Sequence, residues 1–555
     1  MQPLQTLSGI PDVQLRVKWV DEIDDRDHPL FTQWLRQHRQ LISHLTADVE
    51  VSDGTLTLRE FSEAAAACRS VDLEIRHDHE DVVDLSELDA VAGSLRRFKC
   101  EIWSSPAEAS TLRGTSALKS MSQLTSLHFR NEDLGSEGPW GSLAELRGLQ
   151  RLSLAVAATG DPSPLSALTG LTYLDLKSLG LAAHGQAPFS FSSLQPLSTL
   201  QELQKLHLRG RACAVTSLQG LAGLSSLKLL EVHPTGKLSS LEGISPGVIE
   251  VWVVDAQGLV SLAGIGSCTQ LTALHCNTKD PIAEEPWGLL AMVTSLQQLS
   301  LAVGATGDPS PLSALTRLTY LKARSKELGA DNQAPFSFSS LKPLSTLQQL
   351  EVLYLVDCAC AATSLQGLAG LSNLRRLALL SPDKLSSLEG ISPAVINFRV
   401  DSAPELVSLA GIESCRSMEK LRLRRCDGVS SLQPLRRLSS LKQLDVWGLR
   451  LTSLESLYSM SLQTLSLKRC SSLVKLSGVE HLSALKSLVV EFCAVTSLQP
   501  LSELGNSLMK LRVSDCSDVQ EEVLVLPHVK HTANVVVEDS NVRVVVLGGR
   551  PLGPA

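Results

Sequence analysis

From about residue 95 to residue 516 one short arrangement of apolar positions recurs, L-x-x-L-x-L, whose last two apolar residues flank a residue of another kind. Leu149-Leu152-Leu154, Leu203-Leu206-Leu208, Leu350-Leu353-Leu355, Leu441-Leu444-Val446, Leu462-Leu465-Leu467 and Leu485-Leu488-Val490 are examples. Period-two alternation predicts a strand, with the intervening residue on the opposite face. With the middle apolar residue as marker, eighteen positions run from 98 to 511, spaced 21 to 32 residues apart. Return segments such as TSLQGLAGLSSL and SLQPLRRLSSL are short and rich in Gly, Ser and Pro, which predicts 3₁₀ turns or brief helices. No single repeat can bury its apolar face alone, so the strands must stack. The expected fold is an α/β solenoid, a horseshoe or arc with a parallel concave sheet and about 18 repeats of 21–32 residues.

A longer period lies on top. The stretch 152–274 recurs at 299–421 with a constant offset of 147 and no gap. GDPSPLSALT at 160–169 returns at 307–316, QAPFSFSSL at 186–194 returns at 333–341, and KLSSLEGIS at 237–245 returns at 384–392. The duplicated unit is six repeats, 152–298 copied at 299–445, and a solenoid tolerates such a copy because it stacks on itself. The ends read differently. Residues 1–90 form an N-terminal cap with irregular repeats, including a helix over Phe31–Leu45, strands at DVEVS and TLTLREF, and the strand VDLEI. Residues 91–516 are the solenoid, and 517–555 a C-terminal cap with closing strands and a tail.

Composition sharpens this picture. The 103 leucines against 4% aromatic residues mean one aliphatic side chain packs the core many times over. The net charge of −8 gives no global attraction to nucleic acid, and the longest uncharged run is too polar to span a membrane. Met1–Val20 has no signal-peptide pattern, so the expected setting is the cytoplasm or nucleus.

Candidate chemistry is sparse. Cys358, Cys426, Cys470, Cys493 and Cys516 each fall three residues after the last apolar residue of the motif, and Cys100 and Cys276 occupy that residue itself. These positions read as buried thiols. His77-Asp78-His79-Glu80-Asp81 reads as a solvated turn rather than a metal site, and no phosphate loop, dinucleotide fingerprint, zincin motif or nucleophile elbow occurs. No enzyme activity, cofactor or metal is expected. The informative positions alternate with the core and face the concave sheet: Trp252, His275, Tyr354, Arg399, Arg422, Arg424, Trp447, Lys468 and Arg469. Exposed Trp, Tyr and Arg make interface anchors, and Trp447 between basic repeats suits an acidic or phosphorylated segment of a protein partner. The two longest repeats hold Phe189, Phe191, Phe336 and Phe338, which either fold back onto the core or form partner-binding loops. A monomer with no nucleic-acid or membrane partner is expected.

The motif and its period resemble the leucine-rich repeat superfamily, whose repeat is L-x-x-L-x-L-x-x-N/C, over about residues 95–516. Within it, Phe31-Thr32-Gln33-Trp34-Leu35-Arg36-Gln37-His38, the Ala-rich helix running into VDLEI, the LSSLKQLDV-type repeats and the ending VLPHV resemble plant and green-algal F-box/leucine-rich-repeat proteins. That resemblance implies a non-enzymatic recognition scaffold. In some members it implies the substrate adaptor of a Skp1–cullin–F-box ubiquitin ligase, with ligase subunits as partners. No F-box is visible, since the similar region starts after Met1–Pro11. The repeats also resemble those of internalin-like and kinetoplastid surface proteins.

Overall fold

Strand after strand, the same two apolar positions fall in register, and this alignment organises the fold. A computed structural model describes residues 13–19, 27–38, 42–51, 58–66, 68–77, 83–102, 112–131, 139–157, 160–179, 189–235, 238–282, 286–305, 307–325, 336–358, 362–458, 460–504, 508–516, 518–520, 523–526, 535–537 and 543–546. They fall into two compact units, Met1–Leu271 with Cys276–Asp280, and Thr272–His275 with Pro281–Ala555.

In the first unit ten described strands, from Val13–Trp19 to Glu250–Ala256, pair in parallel and in chain order. In the second, eleven described strands do the same, from Gln298–Gly304 through Lys510–Ser514 to Val535–Val537. Leu421, Leu444, Leu465, Leu488 and Leu511 sit side by side, and each is almost wholly buried. Burying a leucine side chain contributes roughly 1.5–3 kcal/mol, so each repeat is stabilised by its neighbours. The result is the α/β leucine-rich repeat solenoid that the spacing predicts.

The returns are mostly 3₁₀ turns, such as Ser163–Ala167, Gln195–Thr199, Lys342–Thr346 and Gln433–Arg437. Each buries the leucine after the proline, Leu165, Leu197, Leu344 and Leu435 respectively. Gly243 and Gly390, paired by the 147-residue offset, have φ of +87° and +83°, and a Cβ on either would lie 2.5 Å from the backbone of Gln219 or Gln366. Only glycine fits so close to the previous return.

The N-terminal irregular repeats depart from expectation in two places. The described helix is Asp27–His38, and Ile42–Leu45 belongs to a strand, not to the helix. Of TLTLREF, Leu58–Phe61 opens the helix Leu58–Ala65 instead of a strand, because Leu58, Phe61, Ala64 and Ala65 recur at helical spacing and are buried together; residues 55–57 lie outside the described residues. At the other end Val523–Leu526 and Arg543–Val546 pair in parallel, while Val535–Val537 extends the main sheet.

All eleven described cysteines are buried. Cys358 Sγ donates to the Ala323 carbonyl at 3.0 Å and Cys493 Sγ to the Leu467 carbonyl at 3.5 Å, each on the preceding strand. Burial pushes Cys100 and Cys213 up to about 12 and Cys426 up to about 11. Cys470 moves the other way, because the Cys493 thiol donates to it. A thiol reagent should leave all eleven unmodified in the folded protein at neutral pH and label them fully in denaturant. Mass spectrometry showing rapid native labelling at the five ladder positions would contradict the packing.

Of the two alternatives for the long repeats, the rings take the first and fold back onto the core: Phe189, Phe191, Phe336 and Phe338 are at most 2% exposed. Phe189 packs edge-on against Trp140 with centroids 4.8 Å apart, and Phe336 packs against Trp287 in the same way at 4.8 Å. Trp140 and Trp287 are themselves 147 residues apart, so the duplicated architecture reaches back to a shared Pro-Trp-Gly before the strand. Gln186–Pro188 and Gln333–Pro335 lie outside the described residues. Trp287→Ala should cost about 3–5 kcal/mol in denaturant unfolding, with about 0.5–1.5 kcal/mol of coupling to Phe336→Ala. Full additivity in the double-mutant cycle would show that the ring contact contributes nothing.

Candidate functional site

Between buried positions, the strands of the second unit present three parallel rows of side chains on the opposite face. The first row runs Tyr320, Val352, Arg376, Asn397, Lys420, Gln443, Thr464. The middle row runs Lys322, Tyr354, Ala378, Arg399, Arg422, Asp445, Ser466, and the last Arg324, Val356, Leu380, Asp401, Arg424, Trp447, Lys468. A groove of about 820 Å³ crosses this face, lined by seven cations and one carboxylate in a chain whose net charge is −8. Ala378, the shortest side chain of the middle row, lies between Tyr354 and Arg399 at the floor of the groove and is itself buried.

Most of these cations are already held. Arg422 Nε and Arg424 Nη2 both donate to Asp445 Oδ2, at 2.8 and 2.9 Å; Arg399 donates to Asp401 at 3.0 Å, and Lys468 to Glu491 at 2.7 Å. Arg424 also lies over the Trp447 ring, 5.2 Å from its centroid. Exposed pairs of this kind contribute roughly 0–1 kcal/mol each, so their main effect here is to fix guanidinium positions. Three lining cations, Lys322, Arg376 and Lys420, form no ion pair among the described residues.

Of the sequence-predicted positions, Tyr354, Arg399, Arg422, Arg424 and Lys468 come together in this groove, with Trp447 beside it. Arg469 does not join them. It follows the strand at φ +52°, its N–H donates to the Glu491 carbonyl at 2.9 Å, and its guanidinium lies over Phe492. Arg425 and Phe492 occupy the same left-handed position after their strands, so this place belongs to the turn and not to the sheet face. Trp252 and His275 also stand outside the groove; the Trp252 indole N–H donates to Glu250 at 2.5 Å.

The sequence reading passed over Arg376 and Lys420. The signal that finds them is the comparison of the two copies. Of eighteen strand-face positions paired by the 147-residue offset, three are identical: Ser153 and Ser300, Ala155 and Ala302, Tyr173 and Tyr320. Of the twelve core positions on the same strands, eight are identical and the other four stay apolar: Leu176 to Ala323, Val232 to Leu379, Val251 to Phe398 and Cys276 to Leu423. Face changes alter charge as well as size: Asp175 to Lys322, Leu229 to Arg376, Glu231 to Ala378, Trp252 to Arg399, Ala273 to Lys420.

The first copy's face is correspondingly different. There Glu231 accepts from His207 at 2.6 Å and from His233 at 3.1 Å, and pairs with Arg209 at 3.1 Å. Burial opposes ionisation of Glu231, but the two histidine hydrogen bonds and the Arg209 charge outweigh it, so its carboxyl lies below the ordinary range. A depressed carboxyl contributes stability above its unfolded value of 4.5 and loses it as pH falls through the lower folded value. Glu231→Gln should therefore be less stable than the parent at pH 7, on the order of 1 kcal/mol, and converge with it well below pH 4.5. Denaturant titrations giving the same gap at both pH values would rule out this account.

Among the described residues no group of His, Cys, Asp and Glu is placed to hold a metal ion, and no helix is long and apolar enough to cross a membrane. Residues 78–81 of the His-Asp-His-Glu-Asp run lie outside the described residues.

No protein-family model matches the chain, and no curated protein does. Solved structures with similar architecture include a plant peptide hormone receptor, RGFR1, in complex with RGF2, at 16% identity and a TM-score of 0.48, covering 96% of this chain and 90% of the receptor. The functional domain of InlJ from Listeria monocytogenes, described as including a cysteine ladder, is 17% identical with a TM-score of 0.45, over 74% of this chain and 76% of that one. A leucine-rich repeat protein of Leptospira interrogans is 14% identical with a TM-score of 0.42, covering 89% of this chain and 93% of its own.

Proposed function

We propose that the protein is a non-enzymatic scaffold that binds another protein on the strand face of its second unit, around the groove from Lys322 to Lys468. One observation carries this reading. Between the two internal copies the core and the return segments stay nearly fixed, whereas the strand face is rewritten. A merely solvated face would drift among polar residues. Here an Asp has become Lys, a Trp has become Arg, and a Leu and an Ala have become cations, all converging on one groove. Tyr354 and Trp447, with the fixed guanidinium groups of Arg399, Arg422 and Arg424, supply the anchor types that dominate protein interfaces.

The narrower reading, an adaptor of a Skp1–cullin–F-box ligase, rests on the resemblance of residues 14–75 alone. Recovery of Skp1 and cullin with the full chain from native cells would support it. Wherever the protein resides, the partner surface is tested by replacing face residues of the second copy with those that the first copy carries at the same positions. The variant Arg399→Trp/Arg422→His/Arg424→Asn takes residues from equivalent strands, so it should fold, with its unfolding midpoint lowered only by the loss of the three exposed ion pairs. Crosslinking in native extract should show at least one protein captured by the parent and lost from this variant. Retention of every captured protein by the variant, with loss on substituting the exposed return residues Arg436 and Arg437, would move the site off the strand face.

A further inference from the structure

The groove also carries information about the chemistry of its occupant, and this rests on the reading just proposed. Three cations lining it are free of ion pairs among the described residues, in contrast to the paired Arg399, Arg422, Arg424 and Lys468. Their spacing is set by the register. Arg376 and Lys420 share the first row with only Asn397 between them, two strand steps or about 10 Å apart. Lys322 lies two strands from Arg376 and one row over, about 12 Å away.

We infer that the groove binds an acidic protein segment in an extended, polyproline-like conformation, with carboxylates about three residues apart meeting Lys322, Arg376 and Lys420. A polyproline II chain advances about 3.1 Å per residue with three residues per turn, so side chains at i and i+3 share a face about 9 Å apart. A β-strand would send i and i+3 to opposite faces. Tyr354 lines the same groove and packs edge-on against Tyr320 at 6.0 Å, an aromatic surface of the kind that proline-rich segments lie on. A phosphate ester would call for cations converging on one point, and here the free cations are two strands apart. In the first copy the equivalents of these three residues are Asp175, Leu229 and Ala273, so the preference belongs to the second copy alone.

The test uses the full-length protein and fluorescence anisotropy with three labelled peptides: (Glu-Pro-Pro) repeated four times, an isomer with its four glutamates contiguous, and a version with lysine in place of glutamate. A single-stranded oligothymidine of matching length is the fourth probe. The spaced acidic peptide should bind best, at least about fivefold tighter than the contiguous isomer, weakening with added salt. Binding of the lysine peptide should not be detectable. Lys322→Asp/Arg376→Leu/Lys420→Ala, which restores the first copy's residues, should lose tenfold or more while its unfolding midpoint stays unchanged. Asp175→Lys, on the other copy, is the matched control and should not alter binding.

Equal affinity for the two acidic peptides overturns the inference, as does tighter binding of the oligonucleotide or full retention by the triple variant. Absence of acidic-peptide binding while a captured protein still depends on Arg399, Arg422 and Arg424 overturns this inference and leaves the scaffold reading standing. Loss of both removes the strand face as the site.

Discussion

The fold depends on one constraint: each repeat's two apolar strand residues must lie in register with those of the next. Leu421, Leu444, Leu465, Leu488 and Leu511 form one such line, and Leu423, Val446, Leu467, Val490 and Val513 its companion. Neither line is buried by its own repeat. Once the register is set, every alternate side chain is committed to the other face, in rows whose spacing the backbone hydrogen bonds dictate. Return segments then need only cover the open side of the core. Short 3₁₀ turns suffice, with a single leucine driven inward and a glycine wherever two backbones approach closely.

This separation of duties explains why the two copies could diverge as they have. A face residue can change charge without disturbing the leucine one residue along the strand, because the alternation sends the two side chains to opposite faces. Core residues have no such freedom, since a lost methylene leaves a cavity that the next repeat cannot fill. Internal duplication therefore makes a record within one chain of which positions carry packing and which carry surface chemistry. In the first copy the middle row joins Asp175, His207 and Glu231 in a network with Arg209 and His233; in the second the same row opens a basic groove.

Much of this was legible in the sequence, for physical reasons. The strand period, the 21–32-residue spacing and the buried ladder cysteines all follow from a single apolar pattern repeated many times. Leu58–Phe61 was misread as strand because the sequence TLTL alternates locally, while the burial that decides the helix, at Phe61, Ala64 and Ala65, comes later in the chain. Phe189 and Phe336 were ambiguous because their partners, Trp140 and Trp287, are some fifty residues earlier. On the site, alternation gave the face, but it could not tell which cations are already paired. Asp445 neutralises Arg422 and Arg424 from the neighbouring strand, and that is a property of register, not of spacing within a repeat. Arg469 was placed on the face because it directly follows Lys468, yet the chain has turned left-handed by that point.

The buried thiols have a consequence for how the molecule comes into being. Once stacked, the eleven described sulfurs are core atoms, several of them aimed at backbone carbonyls, and the packing shields them from the oxidation state of the surroundings. The unfolded chain is not: it carries twelve accessible thiols, several at nearly the same interval of about 23 residues. Any bridge formed between successive ladder positions before stacking would tie together two turns that the solenoid must lay side by side. The redox environment therefore acts on these eleven thiols chiefly during assembly.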